Sequence, residues 1–172
     1  MKEKKLVIVI NGKGGAGKDT LCERAGAEYS VVNISAITPI KEIARKYGWN
    51  DEKDEKSRRF LANLKRAFAD YNDLPNRYLQ EEYQKFREGQ AEILFVHIRE
   101  SDQIVKFVNS VDLPCVTILV TRDLGNGRYG NDADDRVADY TYDYEFDNNG
   151  SLEESAERFR ALIRSIMDAE RQ

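Results

Sequence analysis

Cysteine is scarce. Cys22 and Cys115 are the only two in 172 residues, too few to frame a disulfide-stapled secreted fold. Both stand in apolar surroundings, Cys22 within a helical pattern and Cys115 at the start of a strand pattern, and read as small core residues. No apolar stretch approaches the length needed to cross a bilayer. The opening MKEKKLVIVINGKGG has an apolar run of only about five residues, too short for a secretory signal, with no cleavage-site pattern after it. Repeats, low-complexity tracts and a Pro- or Gly-rich linker are also missing. The net charge of −4 supplies no positive excess for nucleic acid or a membrane surface as the main partner. These absences leave the expectation of one domain over residues 1–172, cytoplasmic and reduced, monomeric or homodimeric.

What is present is ordinary in amount: 41% apolar and 34% charged residues, enough to bury a sheet between two helix layers. The charge is unevenly placed. Residues 41–66 are rich in Lys and Arg, whereas 132–157 are acidic with Arg136 nearly alone among them. A local basic region in an acidic chain suits a small anionic ligand better than a long polyanion.

Short, nearly continuous apolar runs at 6–10, 31–34, 93–98 and 116–120 alternate with helical patterns. This is the signature of a parallel sheet buried on both faces. Helices are expected over 17–29, over 37–47 (with Ile40, Ile43, Ala44 and Tyr47 sharing a face) and over 52–71 (with Phe60, Leu61, Leu64 and Phe68 together). A further helix is expected over 77–87. The segment 50–90 reads as a helical insertion between the second and third strands. A short helix is expected over 102–111, and an edge strand within 140–146. Ser151 and Glu154 form a capping-box pattern at the start of a final helix. Residues 122–139 are rich in Gly, Asn and Asp without periodicity and read as a lid loop.

The strongest local signal is LVIVINGKGGAGKDT at 6–20: a buried strand, a glycine loop, a lysine and a helix in order. Gly12, Gly17 and Lys18 have the spacing of a phosphate-binding loop. Glycines let backbone N–H groups converge on phosphate oxygens, and the helix adds its positive end. Gly12, Lys13, Gly14, Gly15, Ala16, Gly17, Lys18, Asp19 and Thr20 are therefore the candidate binding set for ATP, with Lys18 between its terminal phosphates. Where a hydroxyl residue normally follows the lysine, this chain has Asp19 and then Thr20. These two are the candidate ligands for Mg2+, a hard cation that takes oxygen donors.

Two families share parts of this loop. KGGAGK resembles the deviant Walker A loop of partitioning and division-site ATPases, in which Lys13 would be the signature lysine. GKDT resembles the loop of deoxynucleoside monophosphate kinases and is similar to that of phosphomevalonate kinases. The remainder of the chain resembles the deoxynucleoside monophosphate kinases: ISAITPIKEIARKYGW at 34–49, SRRFLANLKRAF at 57–68, HIRE at 97–100 and DYTYDYEFDNNGSLEE at 139–154, in that order. The resemblance implies a three-layer α/β P-loop fold with five parallel strands ordered 2-3-1-4-5. It implies transfer of a phosphoryl group from ATP to a nucleoside or deoxynucleoside monophosphate, another small phosphorylated metabolite being the alternative acceptor. A regulatory ATPase is the alternative from outside the kinases.

It further implies that Lys41, Arg59 and Arg99 hold the acceptor's phosphate, Arg66 being a weaker candidate. Lys18, Arg99, Arg122 and Arg128 would serve the transferring group, and Arg136 shares the lid loop. His97 departs from the pattern, standing where the resemblance calls for Asp; Glu100 and Asp102 are the nearby carboxylates. Lys18→Ala should abolish binding of Mg-ATP in a calorimetric titration while leaving the fold intact by circular dichroism.

Overall fold

The computed structural model describes residues 4–123 and 136–170. Five strands form one parallel sheet: β1 (Leu6–Gly12), β2 (Val31–Ser35), β3 (Ile93–His97), β4 (Cys115–Thr121) and β5 (Tyr144–Asp147), in the spatial order β2-β3-β1-β4-β5. All four pairings are parallel, and the order is the one the sequence led us to expect. The helices are α1 (Lys18–Ala25), α2 (Thr38–Lys46), α3 (Glu55–Asn72), α4 (Leu74–Glu88), α5 (Ser101–Ser110) and α6 (Leu152–Ala169).

The central strand explains the layering. Every residue of β1 is buried, so its alternate side chains must each meet a helix layer. Leu6, Ile8 and Ile10 pack with Leu21 and Cys22 of α1 and with Phe159, Ile163 and Ile166 of α6. Val7 and Val9 face the other way, in a cluster with Leu79, Tyr83 and Phe86 of α4 and Ile104 and Phe107 of α5. Aromatic edges join the first cluster across the sheet, with Phe146 and Phe159 ring centroids 5.2 Å apart.

The termini of the helices follow local chemistry. Ser151 accepts from the Glu154 N–H at 3.2 Å to open α6, as its capping pattern predicted. Asp54 does the same for α3, accepting from the Ser57 N–H at 2.8 Å. The α3–α4 turn passes through Asp73 in the left-handed region (φ 57°), and the Asp73 carboxylate meets Lys106 at 2.6 Å.

Several expectations are corrected in detail. The first helix ends at Ala25 rather than Tyr29, because Gly26 and the residues after it fold into turns that close back on Glu23, Arg24 and Ala25. Tyr47 lies beyond the end of α2 and is 79% exposed, and Phe60 is 46% exposed, so neither joins the apolar face that spacing assigned it. Within 50–90 the two helices have different roles. α4 contributes three side chains to the core, whereas Ser57 is the one buried residue of α3, which packs on α2 and α4. Most of the 122–139 loop, from 124 to 135, lies outside the described residues. Among the described residues no helix is long and apolar enough to cross a membrane.

One lysine closes the underside of this sheet. Lys5 donates to the carbonyls of Phe86 (3.0 Å), Gly89 (2.8 Å) and Ala91 (2.7 Å) while lying over the Phe86 ring. It thereby supplies donors to carbonyls at and just beyond the C-terminal end of α4. Lys5→Met should lower stability by about 2 kcal/mol, read as a lower urea midpoint with an unchanged slope.

Candidate active site

The glycine loop leaves β1 at the C-terminal edge of the sheet, where open α/β sheets place their ligands. Gly12 has no room for a side chain, since a Cβ would lie 2.7 Å from the Val120 carbonyl oxygen. Gly15 and Gly17 both take φ of 84°, a left-handed conformation that L side chains resist. Ala16 donates its N–H to the Lys13 carbonyl at 3.0 Å, closing the loop on itself. Helix α1 then begins at Lys18, and its first-turn amides at Lys18, Asp19 and Thr20 have no partner within the helix. Residues 13–20 and Arg99 line a cleft of about 230 Å³. The whole candidate nucleotide set therefore comes together, with Gly12 buried behind it.

Lys18 points inward, its side chain only 14% exposed. Its ammonium donates to Asp19 Oδ1 and to His97 Nδ1, each at 3.1 Å. The other ring nitrogen of His97, Nε2, lies 3.1 Å from Asn33 Oδ1. A lysine ammonium has no lone pair and an amide oxygen no proton, so the ring must accept at Nδ1 and donate at Nε2. That is the neutral tautomer. Burial, with the Lys18 and Arg99 charges beside it, pulls the His97 pKa down to about 4. His97 ends β3 in register with Ile10 and Ser35, which is why it stands beside the lysine.

Asp19 reaches out of the cleft with its side chain 85% exposed. Desolvation pushes its carboxyl up, but the neighbouring Lys18 ammonium, with Arg99 beyond, holds it below the ordinary carboxylate value. An ionised carboxylate beside the exposed Thr20 offers the hard oxygen donors that Mg2+ takes. Among the described residues no group of three or more His, Cys, Asp or Glu side chains could hold a metal alone. A magnesium ion would thus share Asp19 and Thr20 with phosphate oxygens and water, and the residues present fit it.

The cleft has further basic residues beside Lys18. Desolvation lowers the Arg99 pKa, and Arg58 adds to the effect against Glu100 and Asp19. Half-buried Lys41 is lowered by burial and then by Arg45, Arg99 and Lys53. Arg59 is exposed. Its helical neighbour Arg58, about 100° around α3, lies in electrostatic reach of Arg99. Arg66 is also exposed. Glu100 is held by Lys65 at 2.7 Å, and Asp102 lies in the first turn of α5. Arg122 lies beside the loop, its Nη1 4.0 Å from where a Cβ on Gly17 would sit. Arg136 pairs with Asp139 at 3.7 Å. Arg128 lies outside the described residues.

Three asparagines brace the site, and none was chosen from sequence. Buried Asn11 donates to the Arg99 carbonyl (3.1 Å) and to the Tyr142 hydroxyl (2.9 Å), and accepts from the Gly12 N–H (2.9 Å). Asn33 orients His97, and Asn148 donates to the Ala16 carbonyl at 2.7 Å. A polar Asn directly after five apolar strand residues was the signal available for Asn11.

Solved structures match the fold over nearly the whole length of the chain. The Mycobacterium tuberculosis APS kinase CysC, solved in complex with AMPPNP and APS, superposes with a TM-score of 0.53 at 11% identity, covering 94% of this chain and 98% of that one. The fold is that of the P-loop kinases. Shikimate kinase from Bacteroides thetaiotaomicron gives 0.53 at 16% identity, covering 92% and 98%. TT1252 from Thermus thermophilus gives 0.52 at 16%, covering 95% and 98%. No family model matches the chain, and no curated protein matches its sequence.

Within this P-loop kinase fold His97 carries a measurable signature. It is the only histidine in the sequence, and so the only side chain whose ordinary pKa lies near neutrality. Well above pH 6.5 it is neutral both folded and unfolded and contributes nothing. As the pH falls through 6.5 the unfolded chain takes up a proton that the folded chain refuses until about pH 4, so stability falls with pH. His97 should account for about 1.3 kcal/mol of the stability the metal-free protein loses between pH 7.5 and 5.5, read as the difference in urea unfolding between the parent and His97→Gln.

Proposed function

We propose that this chain transfers the terminal phosphoryl group of ATP, with magnesium, to a small acceptor that already carries a phosphate. The observation that carries the reading is that the cleft's cations do not end with the loop lysine. Arg99 lines the cleft together with the glycine loop and Lys18, and Arg58 and Lys41 lie within electrostatic reach of Arg99. A protein that only hydrolyses ATP has no acceptor phosphate to hold with them. Phosphoryl transfer asks mainly for alignment and neutralised charge, and groups approaching from β1, β3, α2 and α3 meet that demand.

In this reading the first-turn amides of α1 hold the nucleotide phosphates, and Lys18 exchanges its contacts with His97 and Asp19 for phosphate oxygens. Magnesium, held by Asp19 and Thr20, would neutralise charge across the same oxygens. Arg99 and its neighbours orient the acceptor so that one of its oxygens lies in line with the bond being broken. That oxygen forms the new P–O bond while the electron pair of the old one leaves with ADP.

The chemistry around the cleft favours an acceptor oxygen that is already ionised. An alcohol must lose its proton to a base. Among the described residues at the cleft, His97 is a weak base with its pKa drawn down to about 4, Glu100 is engaged by Lys65, and Asp19 is the carboxylate assigned to the metal. A phosphate monoester near neutral pH needs no such base. Of phosphorylated acceptors, the nucleoside or deoxynucleoside monophosphates are favoured by the sequence resemblance at 34–49, 57–68 and 139–154.

The test is ATP consumption against a panel of nucleoside monophosphates and phosphorylated metabolites, with the product identified by phosphorus NMR. Arg99→Ala and Arg58→Ala should each raise the acceptor KM or lower turnover about tenfold, with ATP affinity near the parent value. Loss of ATP binding in both would return these arginines to the nucleotide site. Hydrolysis without any phosphorylated acceptor would favour the regulatory ATPase.

A further inference from the structure

We propose that Asn148 is a positioning residue of the glycine loop, its side-chain amide fixing the orientation of the Ala16–Gly17 peptide plane so that the Gly17 N–H faces bound phosphate. The inference rests on the reading of residues 12–20 as a phosphate site and adds to it a residue 132 positions away in sequence. Asn148 sits between β5 and α6, 7% exposed, and its Nδ2 donates to the Ala16 carbonyl oxygen at 2.7 Å.

The geometry of the peptide unit turns that contact into a constraint on the opposite atom. No peptide bond described is cis, and in a trans unit the C=O and the following N–H point in opposite directions. Drawing the Ala16 oxygen towards Asn148 therefore turns the Gly17 N–H the other way, towards the cleft that residues 13–20 line. The pin is needed because Gly15 and Gly17, both at φ 84°, have no Cβ to resist rotation of the planes between them. With the plane reversed, a carbonyl oxygen would face the phosphates and repel them.

The anchor is itself fixed. The Asn148 N–H donates to the Thr121 carbonyl at 2.7 Å, and Asn149 Oδ1 accepts from the Asp123 N–H at 3.0 Å. Arg158 donates to the carbonyls of Asp147 and Asn149 at 2.9 and 2.7 Å. Asn148 also leaves Gly17 no room for a side chain, because a Cβ there would lie 2.5 Å from Asn148 Nδ2.

The experiment compares Asn148→Ala with the parent and with Lys5→Met, a destabilised control far from the loop. Mg-ATP affinity is measured by calorimetry, and hydrogen exchange of amides 15–20 is measured in the nucleotide-free protein. Asn148→Ala should bind Mg-ATP about tenfold more weakly and exchange these amides faster, whereas Lys5→Met should change neither. Unchanged affinity and exchange in Asn148→Ala, or the same changes in Lys5→Met, would overturn the assignment. If Asn148→Ala does not fold, Asn148→Asp carries the same comparison, since an ionised carboxylate of equal volume has no proton to donate. If the parent binds no nucleotide, the phosphate-site reading fails, and the exchange measurement still decides whether Asn148 orders the loop.

Discussion

A lysine ammonium held at the buried edge of a parallel sheet, before any phosphate is present, is the constraint on which this site depends. Lys18 begins α1 and points back over the strand ends, where little water reaches it. The protein meets its three donors with one carboxylate and one neutral ring nitrogen. Neither partner makes the charge permanent elsewhere: Asp19 is mostly exposed, and His97 is neutral. Both contacts can be exchanged for phosphate oxygens without leaving a buried anion behind. A buried aspartate in place of His97 would hold the lysine more strongly and compete with the ligand.

The same logic extends outward from Lys18. His97 accepts at Nδ1 only because Asn33 engages Nε2, and Asn33 stands on the edge strand β2. Asn11 ties the start of the loop to the Arg99 backbone and to Tyr142, whose hydroxyl donates to the Val137 carbonyl. Neutral amides thus carry orientation between the nucleotide side and the basic side of the cleft. They do so without adding charge to a region whose function, as proposed, is to receive two anions.

The fold was legible in the sequence because its determinants are local. Continuous apolar strands at 6–10 and 93–98, separated by helical patterns, have few packing solutions other than a sheet covered on both faces. The glycine loop was legible for the same reason: spacing, strand and helix are contiguous. Helix faces were less so. Tyr47 and Phe60 have apolar spacing, but they lie past a helix end and on an outlying helix, where periodicity carries no information about what packs against them.

The sequence by itself determined the buried strand runs, the place of the phosphate loop and the run of basic residues from 41 to 66. Each depends on neighbours in the chain. Only the tertiary structure decided that Arg58 lies in electrostatic reach of Arg99, that His97 is a neutral acceptor for Lys18, and that Asn148 reaches Ala16. Each of these depends on where strands and helices distant in sequence are brought by the sheet, and a hydrogen bond is fixed by a few tenths of an ångström that no spacing rule contains.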